Sequence, residues 1–396
     1  MSIVLTDIST LVDGVLDDVV QWRRHLHEHP ELSFEEVATS QFVYETLQSF
    51  GNLELSRPTE TSVMARLIGN RPGKVIALRA DMDALPIEEE NEFSFVSKTP
   101  GKMHACGHDG HTAMLLGVAK LLSRMKESIA GEVRFLFQHA EELFPGGAQQ
   151  MVNAGVMDGV DLVLGAHLWA ELNVGKIAVR SGPLMAAPDT FHISIIGKGG
   201  HAASPQQTVD SIAVGAQVVT NLQHMVSRNA DPLLPMVVSV TKFIAGTADN
   251  VIPGTAELAG TVRTFDAALR EHAPILMERI IKGVTEAHRA TYKFSYQNGY
   301  RPVLNDEAVT VELEDCLLSI FGEEVMEKAI PTMGGEDFSA YQQAAPGTFF
   351  FIGAGNPDKG IDAPHHHPRF TVDEDALPIG VKAFVAAVLH ILAPAN

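Results

Sequence analysis

The fold is decided by the stretch VIALRADMDALP, residues 75–86, which joins a short apolar run to closely spaced carboxylates. A continuous run such as Val75–Leu78 is typical of a strand that is buried on both faces of a sheet. Asp81 and Asp83 follow it and share one side of an extended backbone, because side chains alternate along a strand. We take Asp83 as the candidate for supporting a metal-ligating histidine; the alternative is that both aspartates cap the strand end.

The same arrangement recurs twice farther along the chain. Apolar runs at 133–137 and 162–164 are followed by Glu141–Glu142 and by His167. Residues 112–122 carry a helical pattern of Ala, Met and Leu, so strands and helices alternate as in a mostly parallel sheet. Ligands of such sheets bind beyond the carboxyl ends of the strands, where these polar residues all fall. We therefore expect them to form one site.

The segment MHACGHDGH, residues 103–111, places several metal donors close together. Cys106 and His108 form a Cys-x-His pair that can direct a thiolate and an imidazole at one ion. This donor set suits zinc, manganese, cobalt or nickel better than calcium. Alternatively, Cys106 is a buried apolar residue, or a nucleophile paired with His108 as in cysteine hydrolases. The neighbouring carboxylates favour the metal, because a thiol hydrolase does not need them.

The Glu141–Glu142 pair is electrostatically unfavourable unless a cation lies near it, since like charges repel. A metal would resolve the conflict, with one glutamate as ligand and the other taking a proton from water. The spacing does not decide which glutamate has which role. The alternatives are a solvated loop end for the pair, a hydrogen-bonded core histidine for His167 and a polar loop for His365–His367.

The composition is that of an ordinary globular protein, with 45% hydrophobic and 20% charged residues. A length of 396 residues favours two domains. The net charge of −20 argues against binding to nucleic acid or anionic membranes. No Lys or Arg precedes Arg23 and no apolar run has membrane-spanning length, so we expect neither a secretory signal nor a membrane helix. With only two cysteines, a cytoplasmic location is expected.

The hydrophobic pattern changes near Pro183 and returns to its first form after Gly299. The order of elements between these points predicts an antiparallel sheet backed by helices. The predicted fold class is therefore α/β: a mostly parallel-sheet catalytic domain with helices on both faces, interrupted by a smaller α+β domain. The predicted boundaries are 1–183 and 299–396 for the two parts of the larger domain, and 184–298 for the insertion.

Three helices are predicted from their boundary residues. The first covers Leu16–Glu28 and is stopped by Pro30. A second follows the capping-box spacing of Ser33–Glu36 and ends near Gly51. A third, in the inserted domain, runs from Pro274 to His288, since proline suits the first helical turn.

Five segments resemble the signatures of M20 metallopeptidases, in the order expected for that family. The resemblance is greatest to the aminoacylase and amidohydrolase subfamily, which includes hippurate hydrolases and indole-acetyl-amino-acid hydrolases. It extends from His25 to Glu374, almost the full chain. The matching segments are residues 79–86, 103–111, 138–142, 199–203 and 334–338.

The resemblance implies two divalent metal ions per subunit, with Glu141 as the general base. The family places its last ligand histidine two residues before a proline, here Pro368, which selects His366 from its neighbours. The implied ligands are Cys106, His108, Glu142, His167 and His366. The insertion is implied to be a lid and dimerisation domain, with three residues that approach the substrate: His201, Asn250 and Arg263.

The implied activity is metal-dependent hydrolysis of a small-molecule N-acyl-amino acid by a homodimer or tetramer. A carboxypeptidase or dipeptidase on the same scaffold and a catalytically silent binding relative are the alternatives. The chain departs from the family at His139, at Leu143–Pro145 and at Gln206, where proline, a glycine run and histidine are common. The first two departures lie beside the base and could reshape the substrate pocket.

Overall fold

The computed structural model describes residues 5–392. Within these residues, the α-helices are α1 (Leu5–Asp13), α2 (Leu16–Glu28), α3 (Val37–Phe50), α4 (His108–Ser123), α5 (Ala148–Asn153), α6 (Ser211–His224), α7 (Ala267–Ala287), α8 (Glu307–Phe321), α9 (Ser339–Gln342) and α10 (Leu377–Ile391). The strands are β1 (Glu54–Ser56), β2 (Val63–Ile68), β3 (Arg71–Asp81), β4 (Ala130–Gln138), β5 (Leu162–Asn173), β6 (Ile177–Val179), β7 (Gly182–Met185), β8 (Ala187–Ile196), β9 (Gly200–His201), β10 (Met236–Ala245), β11 (Val251–Ile252), β12 (Thr255–Thr264), β13 (Thr291–Gln297), β14 (Val303–Asn305), β15 (Met326–Lys328) and β16 (Gly347–Gly355).

The chain divides into two compact units. The first unit contains the described residues up to Leu184, Leu304–Ile330 and the described residues from Asp337 onward. The second contains Met185–Val303 and Pro331–Glu336. The predicted boundaries do not include this last segment in the insertion. It belongs there because its backbone bonds to the second unit, for example through Ala186 N–H, which donates to Gly334 O at 2.9 Å.

The first unit is built on a mixed sheet whose order is β1-β2-β4-β3-β5-β16-β6-β15. Its centre is parallel, since β3 pairs in parallel with both β4 and β5, and β16 pairs in parallel with β5. Antiparallel pairs flank this centre at β1-β2, β2-β4 and β16-β6. The predicted α/β class is confirmed, and the central strands are the apolar runs identified in the sequence.

Helices cover both faces of this sheet. Phe350 and Ile352 on β16 belong to a large apolar core that also contains residues of α1–α4, α8 and α10. Alternation places Phe349 on the opposite face, where its ring centroid lies 4.9 Å from that of Phe338, just before α9. Gly165 on β5 makes room for this ring, because a Cβ atom there would lie 2.7 Å from Phe349. The short helices α9 and α5 pack against each other.

The second unit is an antiparallel sheet, in the order β10-β12-β8-β13, with helices α6 and α7 packed on it. Its core is separate from that of the first unit and consists of alternate strand residues, such as Phe191, Ile193 and Ile195 on β8, with apolar residues of both helices. A small ladder of β9 and β11 belongs to the same unit. The α+β insertion with an antiparallel sheet is thus confirmed.

Helix α2 has the predicted limits, but the predicted capping box does not form. Helix α3 begins at Val37. Ser33 Oγ donates instead to Asp83 Oδ2 at 2.6 Å. The Glu36 carboxylate accepts the N–H groups of Phe34 and Ala140 at 3.0 and 2.8 Å. The bonds of Ser33 to Asp83 and of Glu36 to Ala140, both far apart in the sequence, therefore take the place of the predicted cap.

Two other helices begin earlier than predicted. Helix α7 begins at Ala267, because the side chain of Asp266 accepts Leu269 N–H and caps it. Pro274 therefore lies inside the helix. Helix α4 begins at His108, so the imidazole of this residue is held by the first turn of a helix instead of a loop.

No helix among residues 5–392 combines the length and the apolar character that crossing a membrane requires.

Candidate metal centre and active site

The candidate site lies at the carboxyl ends of the central strands of the first unit. β3 ends at Asp81, which is paired with Gln138 at the end of β4. Glu141 and Glu142 follow within four residues of that end. His167 lies on the neighbouring β5. Because these strands are parallel, residues far apart in the sequence reach the same edge of the sheet.

The five predicted ligands come together around one point. Cys106 Sγ lies 3.5 Å from His167 Nε2. Glu142 Oε1 lies 3.9 Å from His108 Nε2 and 3.2 Å from His366 Nε2. Five groups of donor atoms lie within 4.8 Å of one another, and three of them consist of the predicted residues alone: Cys106, His108 and His167; Cys106, Glu142 and His366; and His108, Glu141 and Glu142. The general base predicted at Glu141 therefore shares the cluster.

Two of the histidines are oriented by main-chain carbonyl groups. His108 Nδ1 lies 2.9 Å from Asp83 O, and His167 Nδ1 lies 2.8 Å from Leu168 O. A carbonyl oxygen can only accept, so each Nδ1 carries a proton, and each Nε2 is the ring nitrogen that a metal ion in the cluster would bind. This tautomer, fixed by an outer hydrogen bond, is the one that metal-ligating histidines use.

Two buried atoms of the cluster have no hydrogen-bond partner among the described residues: His108 Nε2 and Glu142 Oε1. The 3.2 Å approach of His366 Nε2 to the glutamate oxygen lacks hydrogen-bond geometry. Buried polar atoms are costly when nothing satisfies them. A divalent cation would satisfy both, and the mixture of thiolate, imidazole and carboxylate fits such an ion.

The electrostatics of the cluster also favour a cation. Burial, together with the carboxylates of Glu142 and Glu141, raises the pKa of the Cys106 thiol well above its usual value. Burial lowers the pKa of His108, but the carboxylates of Asp81 and Asp83 outweigh it and raise that pKa to about 10. Nearby carboxylates contribute to both shifts, which indicates an excess of negative charge around the cluster. A bound divalent ion would neutralise it and stabilise the thiolate.

Asp83 organises the loop that carries the two glutamates. Its Oδ1 accepts Glu141 N–H and its Oδ2 accepts Glu142 N–H, each at 3.0 Å. His108 Nδ1 lies closer to the main-chain oxygen of Asp83, at 2.9 Å, than to its Oδ1, at 3.3 Å. The Asp83 carboxylate therefore positions the two glutamates through its hydrogen bonds, whereas His108 is held mainly by the main-chain oxygen of Asp83.

A second buried network, which the sequence analysis did not assign, lies beside the cluster. Asp81 accepts from His111 Nδ1 at 2.7 Å and from the Arg79 guanidinium at 2.6 Å. His111 Nε2 accepts Leu168 N–H at 2.8 Å, so both ring nitrogens of His111 are used. This bond fixes the peptide that follows His167. The available signals were the position of Asp81 at a strand end and the presence of His111 in the donor-rich segment 103–111, but these signals do not identify hydrogen-bond partners.

Two histidines of the run near the end of the chain, His365 and His366, have different contacts. His366, with a left-handed φ of 64°, directs Nε2 at Glu142. His365 Nε2 accepts Ala170 N–H at 3.1 Å, and its Nδ1 lies 3.9 Å from Cys106 Sγ. His365 thus packs beside the cluster, while His366 contributes to it.

The other three predicted residues lie in the second unit. His201 and Asn250 are exposed and adjacent, because β9 pairs with β11 and Ala202 N–H donates to Asn250 O at 3.0 Å. His201 Nδ1 accepts Ala203 N–H at 3.0 Å, which leaves Nε2 for another partner. Arg263 on β12 is half-buried and donates to Thr261 Oγ1 at 2.9 Å.

A mixed α/β unit with thiolate, imidazole and carboxylate donors at its strand ends has the arrangement of a metal-dependent hydrolase. The chain belongs to peptidase family M20/M25/M40, whose sequence profile matches residues 77–390.

Several known proteins are similar to this chain over most of its length. An N-acyl-L-amino acid amidohydrolase of Geobacillus stearothermophilus is 70% identical over 299 residues, covering 76% of this chain and 81% of the relative. Thermostable carboxypeptidase 2 of Saccharolobus solfataricus is 44% identical, covering 94% and 95%. The crystal structure of the YXEP protein of Bacillus subtilis, described as a dinuclear metal-binding peptidase of the M20 family, is 38% identical with a TM-score of 0.83, covering 96% and 99%.

Proposed function

We propose that this protein is a metal-dependent amidohydrolase that cleaves the amide bond of N-acyl-amino acids. The observation that carries the proposal is the placement of Glu141 within the same cluster as the five donor residues. The activity named for the Geobacillus relative supports the choice of substrate class.

We propose that the site holds two divalent metal ions, as described for the Bacillus subtilis structure. The proposed ligands are Cys106, His108, Glu142, His167 and His366. The donor set admits zinc, manganese, cobalt and nickel. When bound, the ions would polarise the amide carbonyl and lower the pKa of the attacking water.

In the proposed mechanism, Glu141 takes the proton of the attacking water and delivers it to the leaving amine nitrogen. Asp83 holds the main-chain N–H groups of both glutamates, which fixes the position of this base. We assign the first unit as the catalytic domain and the second as a lid and dimerisation domain. In the second unit, His201 or Asn250 would stabilise the oxyanion, and Arg263 would bind the substrate carboxylate.

The decisive experiment is the Glu141→Gln variant, assayed with N-acetyl- and N-benzoyl-amino acids after reconstitution with each divalent metal. Turnover should fall by about a thousandfold or more while the metal content stays at the wild-type level. Glu132→Gln is the control, because Glu132 is a buried glutamate near the start of β4 that pairs with Arg66 and Arg134. Near wild-type activity of Glu141→Gln would refute the assignment of the base.

A carboxypeptidase is the second candidate, supported by the name of the Saccharolobus relative. The two activities are separated by comparing kcat/KM for N-acyl-amino acids with kcat/KM for free dipeptides and for longer peptides. Higher values on peptides would favour the carboxypeptidase. No turnover of either class by the metal-loaded protein would instead indicate a binding relative.

We also propose that the protein acts in the cytoplasm as a homodimer, with a tetramer as the alternative. Light scattering on the purified protein measures the assembly.

A further inference from the structure

The loop that follows the two glutamates is closed at its base. Gly147 N–H donates to Ala140 O at 2.9 Å, and inside the loop Gly146 N–H donates to Leu143 O at 3.0 Å. A Cβ atom on Gly147 would lie 1.8 Å from His139 O, so the closure requires glycine. Residues 141–146 therefore form a pinned loop with Glu141 and Glu142 at its start.

The exposed part of this loop is apolar. Leu143 is 53% exposed and Phe144 is 45% exposed, directly after the glutamate that enters the metal cluster. Large apolar side chains that remain exposed beside a site of polar chemistry commonly form part of a binding surface.

A third exposed apolar residue, Phe34, is tied to the same loop by two carboxylates. Asp83 Oδ2 accepts both Ser33 Oγ at 2.6 Å and Glu142 N–H at 3.0 Å. The buried Glu36 Oε1 accepts Phe34 N–H at 3.0 Å and Ala140 N–H at 2.8 Å. Each carboxylate thus bridges residues 33–34 and residues 140–142.

The ring of Phe34 confirms that the two segments are neighbours. Its centroid lies 5.6 Å from that of His139, in an edge-on arrangement. Phe34 has a left-handed φ of 68° and is 37% exposed. A bulky residue rarely adopts this conformation, and here the hydrogen bonds to Glu36 and Asp83 hold the segment in place.

We propose that Phe34, Leu143 and Phe144 form an apolar subsite for the acyl group of the substrate. This inference rests on the proposed amidohydrolase function and narrows it to substrates with aromatic or long aliphatic acyl groups.

The apolar character of the three side chains selects the acyl end of the substrate over the amino-acid end. The amino-acid end carries a carboxylate, which is costly to bury without a charged or hydrogen-bonding partner. The acyl end is uncharged, and burying it against apolar side chains is favourable. The polar metal cluster would then contact the scissile amide, and the subsite its acyl substituent.

The test compares kcat/KM for N-benzoyl and N-acetyl derivatives of one amino acid, using metal-loaded enzyme. Wild type should prefer the benzoyl substrate. In Leu143→Ala, and separately in Phe34→Ala, the benzoyl-to-acetyl ratio should fall by about tenfold. Leu318→Ala is the matched control, because Leu318 is a partly exposed leucine on α8. It should keep the wild-type ratio.

The outcomes separate the subsite from the proposed function. If wild type hydrolyses both substrates but the variants keep its ratio, the subsite is refuted and the amidohydrolase stands. If metal-loaded wild type hydrolyses neither, both proposals fail. Binding of N-benzoyl and N-acetyl amino acids to Glu141→Gln, measured by calorimetry with and without Leu143→Ala, reports the same preference without turnover. Equal loss of affinity for both ligands would also overturn the subsite.

Discussion

Asp83 binds Glu142 through a hydrogen bond from the main-chain N–H to Oδ2 at 3.0 Å, while Oδ1 holds the preceding N–H in the same way. One carboxylate therefore sets the position of both glutamates. In Asp83→Asn, the amide group would oppose one of these donors with an N–H group of its own. We expect metal affinity and kcat/KM to fall by about 10- to 100-fold, measured by metal titration and steady-state kinetics.

Asp161→Asn provides the control for this substitution. Asp161 Oδ2 also accepts a main-chain N–H group, that of Val75 at 2.7 Å, but it precedes β5 at the other end of the strand. Equal losses in the two variants would show that Asp83 has only a general structural role.

Thiolate ligation by Cys106 predicts a spectroscopic signature. Cobalt-substituted enzyme should show a thiolate-to-cobalt charge-transfer band that is lost in Cys106→Ser and retained in Cys316→Ser, since Cys316 is buried in α8. Cys106→Ser should also bind metal more weakly, and chelation should abolish turnover of wild type. Persistence of the band in Cys106→Ser would rule out this ligand.

The closure of the glutamate loop depends on Gly147. In Gly147→Ala the new methyl group would meet His139 O, so we expect the loop to shift and kcat/KM to drop by about tenfold or more. Gly283→Ala, on α7, is the control: a Cβ atom there meets nothing within 4 Å. It should leave kinetics as in wild type and stabilise the second unit by up to about 1 kcal/mol. Unaltered kinetics of Gly147→Ala would contradict this account of the loop.

His27 predicts a pH-dependent contribution to stability. Its Nδ1 lies 2.8 Å from Asp109 Oδ2 and its Nε2 lies 3.0 Å from Glu89 Oε1. Burial acts against the charged ring, but the hydrogen bonds to Asp109 and Glu89 outweigh it and raise the pKa of His27 above its ordinary 6.5. The folded state therefore binds the proton more tightly than the unfolded state does. This stabilisation is complete below pH 6.5 and is lost as the pH rises through the raised pKa.

Urea unfolding of His27→Gln between pH 6 and pH 10 measures this effect. At pH 6 the variant should be less stable than wild type by about 3 kcal/mol, because two buried carboxylates lose a cationic partner. The difference should shrink at higher pH. His25→Gln, an exposed residue on the same helix, should show little change. A constant difference across the pH range would mean that the ring of His27 is not charged in the folded protein.

Much of the fold could be predicted from the sequence because the central strands are continuous apolar runs. The apolar runs around Ile76, Phe135 and Val163 are too continuous for surface strands, and the polar residues that follow them fall at one edge of a parallel sheet. The sequence resemblance then distinguished Glu141 from Glu142 and His366 from its neighbours, which spacing alone does not do.

Hydrogen-bond partners could not be predicted in the same way. Ser33 and Glu36 have the spacing of a helix cap, yet their side chains bond to Asp83 and Ala140, far away in the sequence. A local motif indicates which hydrogen bonds are possible, but which of them form depends on the groups that the tertiary fold brings close. The same holds for Asp81, whose partner His111 lies about one helical turn beyond the proposed metal ligand His108.

The locking of His108 and His167 by carbonyl groups has a consequence for metal exchange. If a cation of different radius replaced the first, neither ring could rotate toward it or away from it without breaking the hydrogen bond between its Nδ1 and the main-chain carbonyl group. Among the proposed ligands, adaptation would come from Cys106, Glu142 and His366, which lie outside helices and strands. The ranking of divalent cations should therefore reflect how far these three side chains can move, as well as the intrinsic order of affinities.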